Sequence, residues 1–73
     1  MKSVTTTKLD NGMTQLYNRE TRKIAEFYTT DYYGKFEVEL FEQHSYEYKK
    51  MAHKTLNSLH DVISAANAWV LSA

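Results

Sequence analysis

The sequence TLNSLHDVISAANAWVLSA, residues 55–73, predicts an amphipathic helix at about residues 58–72. Ser58 is a typical helix-capping residue, and Asp61 lies three positions later, where a carboxylate approximates a capping box and favours the positive end of the helix dipole. At about 100° per residue, the apolar side chains fall within an arc of about 120°. These are Leu59, Val62, Ile63, Ala66, Trp69, Val70 and Ala73. A face of that width indicates a helix that covers a core formed by the preceding residues.

Residues 35–41 carry the clearest strand pattern of the chain. Phe36, Val38 and Leu40 alternate with charged residues, which is the period of two expected for a sheet with one buried face. Phe41 interrupts the alternation and is interpreted as the end of the strand. Residues 23–29 also favour a strand, but their imperfect alternation predicts either a bulge or burial on both faces.

Turns are marked by two glycines in a chain without proline. Residues 10–12, Asp-Asn-Gly, tolerate positive φ and predict a tight turn between segments 4–9 and 13–17. Residues 18–21 form a polar break, and residues 31–34, Asp-Tyr-Tyr-Gly, form the next turn. Turns at these intervals are typical of short antiparallel strands that follow one another along the chain.

Residues 45–54 fit two patterns, and the choice between them decides how many strands the sheet has. As a strand, the two tyrosines share one face, and Lys49 on the other lies opposite Glu37 or Glu39. As a helix, the segment extends the apolar stripe of the C-terminal helix in phase. The separate cap signal and the poor helix propensity of tyrosine favour the strand, although the preceding turn lacks glycine, asparagine and aspartate.

These patterns predict one small α+β domain over residues 1–73. Its expected architecture is an antiparallel meander of three or four strands within about residues 2–54, with one C-terminal helix packed on one face. One helix cannot cover both faces of a sheet. Some of the six tyrosines should therefore be exposed, where a ring offers contact area and its hydroxyl stays solvated, as in protein interfaces.

Length and composition restrict the function. A chain of 73 residues buries only about 60% of its unfolded surface, so a deep enclosed active site is not expected. Cysteine is absent, which excludes disulfides, thiolate metal sites and thiol catalysis. The N-terminal residues lack the apolar run of a signal peptide, and no apolar run is long enough to span a membrane. We therefore expect a cytoplasmic protein without a membrane partner.

Charge is balanced overall but unevenly distributed. Nine basic and nine acidic residues cancel, yet residues 26–47 carry six acidic residues and one basic residue. On an antiparallel sheet, the simplest interpretation is that Glu37 and Glu39 face solvent beside basic side chains of neighbouring strands. The alternative is an acidic patch that recognises a basic partner.

Catalytic and metal-binding motifs are not found. The histidines, His44, His53 and His60, have no spacing typical of a zinc site. Glu37 and Glu39 share a strand face, but an exposed carboxylate pair without a cleft is more often a solvated surface than an acid-base pair. The sequence therefore predicts neither an enzyme nor a cofactor.

Binding of single-stranded nucleic acid is the main alternative function. It requires stacking aromatic rings and a basic track on a sheet, and Arg19, Arg22 and Lys23 could add to such a track. The order of four strands and a helix resembles the single-strand-binding transcriptional coactivators of the positive-cofactor type. The interleaved residues that would bind nucleic acid are Tyr46, Tyr48, Lys49, Lys50 and Lys54.

Residues 55–70, with a polar cap, S-L-x-D and then I-x-A-A-x-x-W-V, resemble the closing unit of many small proteins encoded by phages and mobile elements. The resemblance implies a protein that occupies a host component in the host cytoplasm. We therefore predict a non-enzymatic protein-binding module, inhibitory or regulatory, with a structural homodimer as a further alternative. The predicted partner-binding residues are Tyr32, Tyr33, Glu37, Glu39, Glu42, Tyr46 and Tyr48.

Overall fold

The computed structural model describes residues 3–29 and 36–72, which form one antiparallel sheet and one helix. Each strand pairs with the next along the chain, so the sheet is a meander in the order β1-β2-β3-β4-β5. The predicted α+β class is confirmed, but the sheet has five strands rather than three or four. The elements are β1 Val4–Lys8, β2 Thr14–Asn18, β3 Lys23–Phe27, β4 Phe36–His44, β5 Glu47–Leu56 and α1 Leu59–Leu71.

The main core lies between α1 and one face of the sheet, which we call the covered face. The helix packs mainly on β3, with β2 and β4 on either side. Alternate strand residues meet the helix there, as the period of two requires. The buried residues of this core are Leu16, Ala25, Phe27, Val38, Leu40, Val62, Ala66 and Val70. Burial of each large aliphatic side chain contributes about 1.5–3 kcal/mol, so this layer supplies most of the driving force for folding.

The start of α1 is as predicted. The Ser58 hydroxyl accepts a hydrogen bond of 3.1 Å from the backbone N–H of Asp61, which satisfies one of the free donors of the first turn. The buried stripe, however, is narrower than predicted. The buried residues Val62, Ala66 and Val70 are spaced four positions apart and form the centre of the stripe. Ile63 lies at its margin, with 38% of its surface exposed. Ala73 lies outside the described residues.

Residues 47–56 form strand β5 and not a helix, and a bulge in β5 hides its alternation. Leu40 pairs with Ala52, but the adjacent Phe41 pairs with Lys50, so Met51 has no partner on β4. An extra residue reverses the direction of the side chains beyond it. As a result, Lys50 and Ala52 point to opposite faces of the sheet although both have even numbers.

The β4–β5 hairpin turns without glycine, asparagine or aspartate. His44 pairs with Glu47, which leaves a two-residue loop, and Ser45 has φ of 59°. A positive φ at the first loop position is typical of a type II′ turn, where glycine is the usual residue. A serine that adopts this conformation explains why the sequence alone did not signal the turn.

Phe41 does not end its strand, as the sequence had suggested, because β4 continues to His44. The Phe41 side chain does not join Phe36, Val38 and Leu40, because it points to the face of the sheet opposite α1, where it lies beside Ile24 of β3. The longer hairpin also changes the register of β5. Lys49 pairs with Glu42, so the expected pairing of Lys49 with Glu37 or Glu39 was wrong.

Side chains from the sheet hold the end of α1. Asn18 is 2% exposed, and its amide nitrogen donates a hydrogen bond of 2.8 Å to the Val70 carbonyl. The Thr21 hydroxyl donates to the same carbonyl at 2.9 Å. These two donors satisfy a carbonyl that the last turn of a helix leaves free. They also tie α1 to the turn between β2 and β3.

Two further contacts fix this end of the helix on β3 and β4. The Trp69 indole N–H donates a hydrogen bond of 3.0 Å to the carbonyl of Phe41, at the point where the β4–β5 register shifts. The Lys23 amine donates to the Ser72 hydroxyl at 2.7 Å and lies 4.5 Å from the centre of the Trp69 ring. A cation near the last turn also favours the negative end of the helix dipole.

Candidate binding surface

The face of the sheet opposite α1, which we call the open face, carries the candidate binding surface. Strand pairing brings its side chains into cross-strand rows that alternate with the core residues. The open-face residues are Thr5, Thr7, Gln15, Tyr17, Ile24, Glu26, Glu37, Glu39, Phe41, Gln43, Tyr48, Lys50, His53 and Thr55.

The centre of the open face is apolar. Ile24 is fully buried, although it is not part of the core under the helix. Its cross-strand neighbours are Tyr17 on β2 and Phe41 on β4, both half-buried aromatic residues. The adjacent Ala25 is also fully buried, on the covered face. Burial of β3 on both sides explains the imperfect alternation of the sequence.

One side of this apolar centre is acidic, and its carboxylates have partners within the chain. The Lys50 amine lies 3.4 Å from a carboxylate oxygen of Glu39. His53 contacts the Glu37 carboxylate at 2.5 Å. Glu26 lies directly opposite Glu39 and accepts a hydrogen bond from a glutamine side chain at 3.0 Å. These contacts offset only part of the local negative charge, because the histidine carries a positive charge only when it is protonated.

The other end of the open face contains a cleft of about 570 Å³, lined by Tyr17, Arg19, Arg22, Gln43, Ser45 and Tyr46. We call it the arginine cleft. It forms where the β2–β3 turn meets the β4–β5 hairpin, and two hydrogen bonds join its walls. The Gln43 backbone N–H donates to the Arg22 carbonyl at 2.8 Å, and the Tyr17 hydroxyl donates to the Gln43 side chain at 2.8 Å.

Both arginines of this cleft are exposed. Among residues 3–29 and 36–72, the ion pairs involve lysine and histidine only, so neither Arg19 nor Arg22 has an acidic partner there. A guanidinium presents a rigid fork of donors that matches a carboxylate or a phosphate. The cleft therefore offers two exposed guanidinium groups beside aromatic rings.

The backbone of the arginine cleft is strained at two positions. Arg22 has φ of 60° and Ser45 has φ of 59°, and in the described part of the chain these are the non-glycine residues with positive φ. This conformation costs a side-chain-bearing residue about 1–2 kcal/mol. The Arg22 N–H donates a hydrogen bond of 2.7 Å to the Asn18 carbonyl, which holds the turn in place.

Four of the sequence-predicted partner-binding residues lie on or beside the open face. Glu37, Glu39 and Tyr48 belong to it, and Tyr48 is 55% exposed. Tyr46 occupies the hairpin loop, where it is 100% exposed and lines the arginine cleft. The tyrosines therefore do not share one strand face as expected, because Tyr46 precedes β5.

Glu42 is separated from this group. It pairs with Lys23, whose amine contacts α1, so Glu42 lies on the covered side of the sheet. Its carboxylate contacts the ring of His44 at 3.2 Å. Tyr32 and Tyr33, the other two predicted residues, lie outside the described residues.

The basic residues predicted for nucleic-acid binding divide between the two faces. Lys50 lies on the open face beside Glu39. Lys49 pairs with Glu42 on the covered side, and Lys54 lines a pocket with residues of α1. The bulge at Met51 causes part of this division because it turns Lys54 away from the face that carries Lys50. The structure therefore does not assemble the expected basic track.

The three histidines each contact a different carboxylate. His60 lies 3.9 Å from Asp61, whereas His44 and His53 contact glutamates of β4. Within the part of the chain that the structure describes, there is no group of three or more potential metal ligands. The described residues contain no helix with the length and apolar character needed to cross a membrane.

Comparisons of the chain with protein-family models, with curated proteins and with solved structures find no match. Function is therefore inferred from the open face and the arginine cleft. The sequence identified Arg19 and Arg22 only as additions to a basic track. Their association with Tyr46 depends on a contact between two turns that are distant in the chain.

Proposed function

We propose that this protein is a non-enzymatic protein-binding module and that the open face is its binding surface. The observation that carries the proposal is the exposure of Tyr46 and Tyr48 beside a face that α1 leaves uncovered. Tyrosine is enriched at protein interfaces because it buries a large rigid ring at a low entropic cost. The buried Ile24 provides a firm apolar base for this surface.

The charges of the open face support specific rather than general binding. Its acidic residues and its arginines occupy separate regions, so a partner must present the complementary arrangement. More specifically, we propose that the protein is a phage-encoded inhibitor of a host protein, because residues 55–70 resemble part of many small phage-encoded proteins. Such an inhibitor would act by occupying a surface of its target, which requires no catalytic group.

The test is affinity capture from bacterial lysate, with the full chain as bait. A variant with Tyr46→Ala and Tyr48→Ala removes the exposed rings, and the control Leu71→Ala removes a half-exposed apolar side chain from α1. We expect wild type and Leu71→Ala to retain the same partner and the double variant to lose it. Thermal unfolding followed by circular dichroism checks that all three chains are folded. If the double variant retains the same proteins as wild type, the open face is not the binding surface.

A further inference from the structure

We infer that the arginine cleft binds a carboxylate on an acidic peptide segment of the partner. This inference rests on the proposed function and specifies the chemistry of the partner. The cleft is open enough to admit a side chain, and its volume of about 570 Å³ is suited to a short segment rather than to a folded domain.

The difference in charge pairing across the open face is the first support. Glu37 and Glu39 each contact a basic side chain of β5. Arg19 and Arg22 contact no acidic side chain among the described residues. An arginine can bind a carboxylate through two parallel hydrogen bonds, which are stronger than bonds between neutral groups. Two arginines that line one cleft therefore offer two such donor groups to an anion.

The backbone of the cleft is the second support. Arg22 occupies a turn position that glycine would fill without strain. Its carbonyl is bonded to the Gln43 N–H at 2.8 Å, so the β4–β5 hairpin fixes the turn. Strained positions that the surrounding structure maintains are concentrated at binding sites. The fold thus holds an arginine where the geometry of the turn itself favours glycine.

The aromatic residues define what surrounds the carboxylate. Tyr17 is fixed by its hydrogen bond to the side chain of Gln43, whereas Tyr46 is wholly exposed at the rim. A fixed ring and a free ring can contact the apolar part of an acidic residue and of its neighbours. The cleft therefore combines charge recognition with apolar contact.

The neighbouring acidic residues favour a peptide carboxylate over the phosphates of a nucleic acid. A polynucleotide carries a negative charge at every nucleotide, and where it continued across the open face it would meet Glu26, Glu37 and Glu39. A short acidic segment need not extend beyond the cleft. Lys49 and Lys54, which could have offset this repulsion, lie on the other side of the sheet. The chain also has no net charge, so it lacks the long-range attraction that supports nucleic-acid binding.

The experiment is a titration of the 15N-labelled full chain, followed by amide NMR at low ionic strength, where exposed charges are least screened. The probe is hexaglutamate with acetylated and amidated ends, and hexaglutamine is the neutral control. We expect shifts at residues 19–22 and 43–46 with hexaglutamate only. Arg22→Gly should weaken binding at least about tenfold, because it removes a charge-assisted contact.

Lys54→Gln is the matched control for Arg22→Gly. It also removes one positive charge, but Lys54 lies on the covered side of the sheet and does not line the arginine cleft, so this variant should bind hexaglutamate as wild type does. Arg22→Lys keeps the charge but loses the planar fork, and its affinity should fall between those of wild type and Arg22→Gly. Glycine suits a positive φ, so Arg22→Gly should fold.

Three results of the titration would overturn the inference. The first is a response to hexaglutamate that is absent from the cleft or equal to that of hexaglutamine. The second is unchanged binding by Arg22→Gly. The third is a stronger response of the same residues to a six-nucleotide single-stranded DNA or to inorganic phosphate, which would assign the cleft to phosphate. If Arg22→Gly still captures a partner that the Tyr46→Ala, Tyr48→Ala variant loses, the proposed function stands and the role of the cleft fails.

Discussion

The two faces of the sheet use their polar side chains in different ways. On the covered face, Asn18 donates to the last turn of α1, Lys23 donates to Ser72 directly after it, and both hold the helix on the sheet. On the open face, Glu39 has a single exposed partner, and Arg22 has no ion-pair partner among the described residues. The comparison shows that these polar groups of the covered face hold the helix on the sheet, whereas these charged groups of the open face make no contact with the helix end.

Leu40→Ala should have the largest effect on stability. Leu40 is 3% exposed in the covered-face core, and truncation of such a leucine removes buried apolar surface and leaves a cavity, which costs about 3 kcal/mol. The free energy of unfolding can be measured by urea denaturation, with Trp69 fluorescence as the signal. Leu71→Ala, at a half-exposed site on α1, should change it by less than about 0.5 kcal/mol. Equal effects of the two variants would contradict the assignment of the core.

Asn18→Ala should have the next largest effect, a loss of about 2 kcal/mol, because it leaves buried backbone groups with fewer partners. The Asn18 side chain donates to the Val70 carbonyl and accepts from the Glu20 N–H at 2.9 Å. Thr21→Val is the control, since it removes only one donor to the same carbonyl. The same urea titration should give a smaller loss for it. A larger loss for Thr21→Val would show that Asn18 is not the main anchor of the helix end.

Lys50→Gln should have the smallest effect, a loss below about 0.5 kcal/mol, because an exposed ion pair contributes little against solvent screening. The substitution removes the contact with Glu39 at 3.4 Å and retains most of the aliphatic stem. Urea titrations at low and high salt measure both the loss and its screening. A loss comparable to that of Asn18→Ala would remove the distinction between the two faces.

Local features of the fold could be predicted from the sequence. The Ser58 cap depends on residues within one helical turn, and the pattern of β4 depends on alternate residues of one strand. The start of α1 and the alternation of β4 could therefore be predicted from residues close together in the sequence. The fold class followed because a helix with one apolar face and strands with one apolar face must cover each other.

Features that depend on contacts between distant segments were not predicted. The bulge at Met51 moved Lys54 to the covered face, and the extension of β4 to His44 gave Lys49 a different partner. The arginine cleft needs the β2–β3 turn and the β4–β5 hairpin to meet. Positive φ at Arg22 and Ser45 carries no local sequence signal, since neither residue is typical of that conformation.

The bulge in β5 also bears on the solubility of the protein. β5 is an edge strand of ten residues, and a long regular edge can add a strand from another molecule and begin aggregation. The unpaired Met51 interrupts that edge, and Lys49 and Lys50 beside it repel a similar chain. The opposite edge strand, β1, pairs with β2 without such an interruption. Only its short length of five residues limits the addition of another strand there. Aggregation by strand addition should therefore begin at β1.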